Sequence, residues 1–456
     1  MSETIAAIST AMAPSGIAII RISGPESLQI ADSIYTSKKN KKLSQQKGNT
    51  IHYGWIKKDQ EIIDEVLVSV FRAPYSYTGE DSVEINCHGG LIAVNKILEA
   101  VLEAGARPAE PGEFTKRAFL NGKKDLSSAE AVMDVISAKS EYALQSSISQ
   151  LKGGLKKKIS QIREGLLYEL AYIESALDDP EHISLDGYST ELLKVVKREK
   201  EQLVKLKNTA EKGKYIEEGI KTVILGKPNV GKSSLLNMLS GRKRAIVTEI
   251  PGTTRDVLEE TVRIGKTVLI MLDTAGIRKA DNEVEKIGIQ LAWEKAEEAD
   301  LILYVIDSSE PMDQNDKKIL NSIAGKKTIV LLNKTDKEMK VSKENISQLC
   351  TFPVLEISAR EGKGEEEIKN LIQDMFFNGE ISFNEEIFIT NKRHESLIKE
   401  AISNLENVEM SIENEMPEDF YSIDLMGAIS ALDSIIGGNL SEDLVDEIFS
   451  KFCTGK

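Results

Sequence analysis

The sequence predicts a small α/β domain, then an all-α helical domain into which a doubly wound α/β domain is inserted. Three observations carry this reading. Residues 226–233 read GKPNVGKS between a β-branched run and a helical pattern. Strand signals disappear from about Phe119 to Tyr215 in favour of long Lys/Glu-rich helical segments. Helical periodicity returns at residues 389–414 and 425–452, after the second α/β stretch has ended.

Taken in order, residues 1–118 alternate β-like runs such as 17–22 (IAIIRI) and 65–71 (EVLVSVF) with helical patterns such as Leu91–Glu103. Residues 119–215 form the first part of the helical domain, and 380–456 its second part. Between them, residues 216–379 supply a strand at 221–226 (KTVILG), a helix at 232–241, buried strands at 267–272 (TVLIML) and 329–332, and a short run at 353–357. Insertion is the economical reading, because the two ends of such an α/β domain lie close together.

A chain of 456 residues is too long for one ordinary core, which agrees with several domains. The formal net charge of −15 argues against nonspecific coating of nucleic acid, so any RNA contact must be a local patch or shared with a partner. Lysines cluster at Lys38, Lys39, Lys41 and Lys42, and again at Lys152, Lys156, Lys157 and Lys158; such runs are more often solvated faces. Cys87, Cys350 and Cys453 are far apart and without metal spacing, as in a reducing cytosol. No window approaches the roughly 20 apolar residues of a membrane span, and a soluble, cytoplasmic protein is expected.

The chemistry sits at the strand ends of the inserted domain. Gly226 and Gly231 permit a turn whose N–H groups point inward, where with the helix N-terminus they attract phosphates. Asn229, Val230, Gly231, Lys232, Ser233 and Ser234 line this cradle. Lys232 would reach the β- and γ-phosphates, and the Ser233 hydroxyl would ligate magnesium. Asp273, followed by Thr274, Ala275 and Gly276, ends a strand and should hold magnesium through water. Asn333, Lys334 and Asp336 reach the same edge, where a carboxylate accepts two N–H bonds from guanine, a pattern adenine does not offer. Ser358 and Ala359 fit the loop whose backbone N–H meets the guanine oxygen. The order and spacing of these motifs give a P-loop, Ras-like domain that binds and hydrolyses GTP.

Hydrolysis needs a water-positioning group, and Ile277, after Gly276, cannot polarise water. Glu285, in the polar segment 278–285 (RKADNEVE), is the candidate, acting directly or through a second water; otherwise it is a solvated carboxylate favouring a helix dipole. Upstream, residues 248–256 (TEIPGTTRD) have the composition of a switch loop. Thr254 is placed to ligate magnesium, while Thr253 and the backbones of Thr248 and Ile250 line a cation site. Arg255 is either a charge stabiliser or an exposed loop arginine.

The flanks narrow the family. Residues 21–25 (RISGP), 77–81 (YTGED), 88–90 (HGG), 107–126 (RPAEPGEFTKRAFLNGKKDL) and the terminal 452–456 (FCTGK) resemble, together with the inserted domain, the tRNA modification GTPases called MnmE or TrmE. The resemblance covers essentially the whole chain; it departs at Thr454, where isoleucine is commoner, and in the glycine-poor loop 13–16 (APSG). It implies an N-terminal domain that binds a tetrahydrofolate derivative, 5-formyl or 5,10-methylene, through Arg21, Glu84, Lys123 and Lys456, and that mediates homodimerisation. It also implies potassium held by Asn229, Thr248, Ile250 and Thr253 as a hydrolytic element. The implied reaction places an aminomethyl-type group on carbon 5 of the wobble uridine of certain tRNAs, with a flavoprotein partner called MnmG or GidA. The absence of any G-x-G-x-x-G agrees with redox chemistry being supplied by a partner. Cys453 is a candidate nucleophile or acid/base in that chemistry, or else an apolar plug near a helix end. Two other classes compete: a ribosome-assembly GTPase switch, and a folate-dependent aminomethyl transferase with a regulatory nucleotide domain.

Overall fold

The computed structural model describes residues 3–59, 61–241, 260–272, 294–379, 381, 383, 386–438 and 440–456. The expected Thr248, Ile250, Thr253, Thr254, Arg255, Asp273, Thr274, Ala275, Gly276 and Glu285 lie outside them. The chain forms two compact units, one of Met1–Met133, Gln150–Lys200 and Leu397–Lys456, the other of Asp134–Ser149 and Glu201–Ser396.

In the first unit the strands are β1 (Ile5–Ile8), β2 (Ser15–Ser23), β3 (Tyr35–Thr36), β4 (Thr50–Lys58), β5 (Glu61–Phe71), β6 (Ser82–Gly89) and β7 (Arg107–Pro108). They make one sheet in the order β3-β4-β5-β6-β2-β1-β7. Its pairs are antiparallel except β1 with β7. Strand period decides what each face does. Val66, Val68 and Val70 of β5, Val83 and Ile85 of β6 and Ile20 and Ile22 of β2 share a core with Leu28, Ile30, Val94, Ile97 and Val101 from helices Ser27–Ile34 and Leu91–Glu103. The intervening residues Arg21, Glu84, Asn86, Leu67 and Tyr53 therefore belong to the opposite face. Burying the apolar residues of one face is the dominant stabilising term here, at roughly 25 cal/mol per Å² of apolar surface.

The helical part of this unit has, among the described residues, no strand in residues 109–133 or 150–200, as its composition requires. Helix Gly154–Asp178 buries Leu155, Ile159, Ile162, Leu166, Leu170 and Ile173, spaced three or four apart along one stripe. Its Arg163 pairs with Asp433 of helix Glu418–Ile436, and Lys200 pairs with Glu409 at 2.5 Å.

The second unit holds β8 (Ile220–Leu225), β9 (Glu260–Ile264), β10 (Thr267–Met271), β11 (Leu301–Asp307), β12 (Thr328–Asn333) and β13 (Val354–Glu356). The order is β13-β12-β11-β8-β10-β9, parallel throughout except for the β9/β10 hairpin. All seven residues of β11 and all six of β12 are buried, the continuous apolar reading of a sheet covered on both faces. After β8 the chain builds β9 and β10 on one side of it and returns to place β11 on the other. The strand order thus reverses at β8, and a crevice opens at the carboxyl ends of β8 and β11, where doubly wound sheets bind ligands.

Candidate functional sites in the two units

At the end of β8 the chain turns into helix Lys232–Ser240 with Gly231 at its N-cap. Gly226 has φ +150°, and a Cβ there would lie 2.5 Å from the Val305 carbonyl oxygen; Gly231 has φ +102°, and its Cβ would lie 2.2 Å from Asn333 Nδ2. No side chain fits either position, so the backbone passes close to the neighbouring strand ends. Asn229, at φ +61°, completes the turn. Ser233 and Ser234 are exposed in the first helical turn. Lys232 folds back, its Nζ donating to the Gly226 and Lys227 carbonyl oxygens at 2.6 and 2.8 Å. Burial holds this ammonium below the usual lysine range, so an anion entering the loop would meet a cation short of solvent.

The second edge motif is tied to the first. Asn333 Nδ2 donates to the Val230 carbonyl oxygen at 2.8 Å, and Asn333 Oδ1 accepts the Ala359 N–H at 3.0 Å. One buried side chain thereby joins the phosphate loop, the end of β12 and the loop after β13. Sequence reasoning assigned the N–H of that last loop to a base; here the Ala359 N–H is given to Asn333 and the Ser358 N–H to the Lys363 carbonyl oxygen. Asp336 accepts from the Ser358 hydroxyl at 2.8 Å, which holds its carboxyl below the usual range. It stands exposed and ionised at the rim, ready for a pair of donors.

Two residues that sequence reasoning passed over complete this edge. Asp307, in register with Asn333 across β11 and β12, pairs with Lys334 at 2.5 Å and accepts from Ser309. Burial pushes its pKa up, but the bonds from Lys334 and Ser309 outweigh this and bring it down. Lys227 pairs with Asp313 and Asp316 at 2.8 and 2.6 Å, and Asp316 also accepts from Tyr304. An acidic residue closing a buried strand beside a known motif was the available signal for Asp307; Lys227 left none, because its partners lie some ninety residues away.

In the first unit, Arg21 and Glu84 face each other across β2 and β6 and are joined at 2.9 Å. The Arg21 guanidinium lies 5.1 Å from the Tyr77 ring centroid and 5.5 Å from that of Phe114, within cation–π range. Its Nη1 is buried and has no hydrogen-bond partner among the described residues. The C-terminal segment is seated beside this group. Thr454 bridges Pro111, the Gly112 N–H donates to the Cys453 carbonyl oxygen, the Phe114 N–H donates to the Lys456 carbonyl oxygen at 3.2 Å, and Ser9 Oγ donates to the Gly455 carbonyl oxygen. Burial lowers the Lys456 pKa, and the charge of Arg21 lowers it further, while Glu84 opposes both.

Arg21, Glu84 and Lys456 are therefore neighbours within one chain, so their approach does not require a dimer. Lys123 is tied elsewhere in the same unit, its Nζ donating to the Pro74 carbonyl oxygen at 3.0 Å. The lysine over the Tyr77 ring is Lys124, at 5.8 Å. Cys453 is exposed, and the apolar plug is instead its neighbour Phe452, which packs with Phe449 and Leu126. The motif residues Glu80, Glu113 and Arg117 serve the frame. Arg117 pairs with Glu80 and Glu113 at 3.0 and 2.9 Å, Glu113 also takes Arg107, and Glu80 accepts from Ser23.

Among the described residues no cluster of three or more His, Cys, Asp or Glu could hold a metal, and no helix is long and apolar enough to cross a membrane.

Similarity to known proteins identifies the family. Residues 4–123 match the family described as GTP-binding protein TrmE N-terminus, and residues 126–453 match the MnmE helical domain. The chain is 54% identical over 456 residues to a tRNA modification GTPase MnmE of Lachnoclostridium phytofermentans, covering all of both chains. It is 47% identical to that of Acetivibrio thermocellus, covering 100% of this chain and 99% of the relative, and 44% identical to that of Bacillus subtilis over the whole of both. The chain belongs to the MnmE family of tRNA modification GTPases.

Proposed function

We propose that this chain hydrolyses GTP and, with a flavoprotein partner of the MnmG (GidA) kind, installs an aminomethyl-type (carboxymethylaminomethyl) group on carbon 5 of the wobble uridine of certain tRNAs. A tetrahydrofolate derivative, 5-formyl or 5,10-methylene, is the one-carbon donor. The observation that carries this reading is the buried Nη1 of Arg21, unpartnered among the described residues, beside Glu84 and the terminal Lys456. A buried guanidinium nitrogen without an acceptor is costly, at roughly 1–3 kcal/mol. A ligand bearing carboxylate or ring carbonyl acceptors relieves that cost, and folate has both. Glu84 would take amide-like N–H groups of the pteridine, and Lys456 with Lys123 the glutamate carboxylates. Cys453, exposed on the same segment, is the candidate for the modification step. When bound, the folate supplies the carbon.

At the other site, the cradle of Asn229–Gly231 with Lys232 would hold the phosphates and the exposed Ser233 hydroxyl magnesium, with Thr254 and, through water, Asp273. Asp336 would take guanine, with Lys334 and the Ser358–Ala359 loop around it. Asn229 with Thr248, Ile250 and Thr253 would hold potassium, and Glu285 would position the attacking water. In this reading GTP hydrolysis drives a conformational cycle in a cytoplasmic homodimer. The domains are 1–118, 119–215 with 380–456, and 216–379. Mass spectrometry of tRNA nucleosides, from a strain lacking the chain and from a reconstituted reaction with GTP, folate and flavoprotein, tests the proposal. Wobble uridine modified equally well without the chain would overturn it.

A further inference from the structure

We propose that the lysine-rich loop of the N-terminal sheet, residues 37–50, is a docking surface for the phosphates of RNA, an inference that rests on the reading of tRNA as substrate and names where its backbone is met. Although the chain carries a net charge of −15, it has no aspartate or glutamate between Asp32 and Asp59. Lys38, Lys39, Lys41, Lys42 and Lys47 are all exposed, and none of the five forms an ion pair or side-chain hydrogen bond among the described residues. Lys58, on β4, is instead paired with Glu103 at 2.7 Å. The five charges are left facing solvent, and the one electrostatic neighbour among the described residues is His52, whose pKa burial lowers and the charge of Lys41 lowers further.

The loop that displays them is held firmly. Leu43 is 1% exposed and belongs to the domain core. The Asp32 carboxylate accepts the Leu43 and Ser44 N–H groups and the Ser44 hydroxyl. Arg72, fixed by Asp81 at 3.0 Å, donates to the carbonyl oxygens of Ser44 and Gln46. Asn40 and Asn49 take left-handed backbone angles at the turns on either side. Asp32, the nearest acid before the lysines, is thus spent on the backbone and does not neutralise them. Holding unpaired like charges on a fixed backbone raises the local potential, which a polyanion relieves.

The neighbouring side chains favour RNA over other acidic partners. Asn40, Gln45 and Asn49 are exposed amides suited to phosphate and sugar contacts. Leu43 is the one large apolar residue of residues 37–50, and it is buried, so the lysine-bearing segment itself presents no anchor for a protein hot spot and no wedge for lipid; the exposed Ile51 lies beyond it on β4. Lys152, Lys156 and Lys157 are a weaker candidate, because exposed Glu164 and Glu174 follow on the same helix.

The test compares the full-length chain with a Lys38→Gln, Lys39→Gln, Lys41→Gln, Lys42→Gln variant and a Lys152→Gln, Lys156→Gln, Lys157→Gln control. Affinity for an unmodified tRNA transcript is measured across a salt series. The loop variant should lose at least about tenfold in affinity at low salt, and the slope of log affinity against log salt should flatten by roughly 0.7–0.9 per lysine that meets a phosphate. GTP turnover and thermal unfolding should not change, and the control should bind like the unmodified chain. Equal affinity and slope in the loop variant, or a larger loss in the control, would overturn the loop assignment alone. An unmodified chain that binds no tRNA at any salt would bring down the substrate reading and this inference together. Intact tRNA binding with lost capture of the flavoprotein would make the loop a protein contact and overturn the RNA assignment.

Discussion

The nucleotide edge and the Arg21 pocket are built in opposite ways. At the nucleotide edge each part is a short contiguous motif delivered by its own strand, and tertiary structure only brings strand ends together, as when Asn333 joins Val230 to Ala359. At the Arg21 pocket the parts are single side chains from β2, β6, the loop before β6, the helix Glu113–Leu120 and the chain terminus, each set in a different segment of the chain. The first kind of site tolerates change in the scaffold as long as strand order is kept. The second depends on register and on the seating of a four-residue tail.

That contrast can be broken from either side. The largest effect should come from Asp336→Asn, which exchanges an acceptor for a donor at the guanine edge. The ratio of GTP to xanthosine triphosphate turnover should fall by roughly 10²–10⁴, with folate binding untouched. Parallel hydrolysis assays measure it, and an unchanged preference for GTP would remove Asp336 from the site.

Cys453→Ser should come next, lowering wobble-uridine modification by about 10² or more while GTP hydrolysis persists. Full modification by the serine variant, assayed with the partner protein present, would leave this exposed thiol without a chemical role.

Gly455→Ala probes the seating of the tail. Gly455 has φ +94°, and an added Cβ would lie 2.3 Å from the Ile8 carbonyl oxygen, a strain of about 1–3 kcal/mol. Titration with a formyl-tetrahydrofolate should show roughly tenfold to hundredfold weaker binding and normal GTP turnover. Undiminished binding would mean that Lys456 takes no part in the pocket.

The smallest effect concerns pH. Burial pushes the Glu113 carboxyl up, but the bonds from Arg107, the Glu110 N–H and Arg117 outweigh it, and the folded pKa lies below its ordinary value of 4.5. Because the folded value is the depressed one, its stabilising contribution is fully present above about pH 4.5 and is lost as pH falls through the folded value. Glu113→Gln should therefore cost roughly 1–3 kcal/mol in denaturant unfolding at pH 7, with the gap to the unmodified chain closing in acid. A gap independent of pH would show that the cost is one of packing.

How much could be read from the chain differs with these two designs. The phosphate loop, the strand before it and the Asn333–Asp336 motif were legible because glycine, lysine and carboxylate positions there are dictated by chemistry acting over a few residues. Helix Leu91–Glu103 was legible to the residue because its apolar period is unambiguous. Asp307, Lys227, Tyr77 and Phe114 were not, since each acquires its role from a partner that strand order or loop packing supplies. Lys123 and Lys124 show the limit most directly. They are adjacent and chemically alike, and only the local backbone decides that one rests on Pro74 and the other over Tyr77.

By itself, then, the sequence determined the class of each domain, the glycine-rich turn after β8 and the placing of the Asn333–Asp336 segment at the end of β12, because local backbone freedom and strand period suffice for these. What the resemblance grouped without saying how, only the tertiary structure brought about physically: Lys456 comes to lie beside the Arg21–Glu84 pair. Such a meeting depends on the order of seven strands and on a tail threaded past Ile8 and Pro111, and no spacing along the chain encodes that.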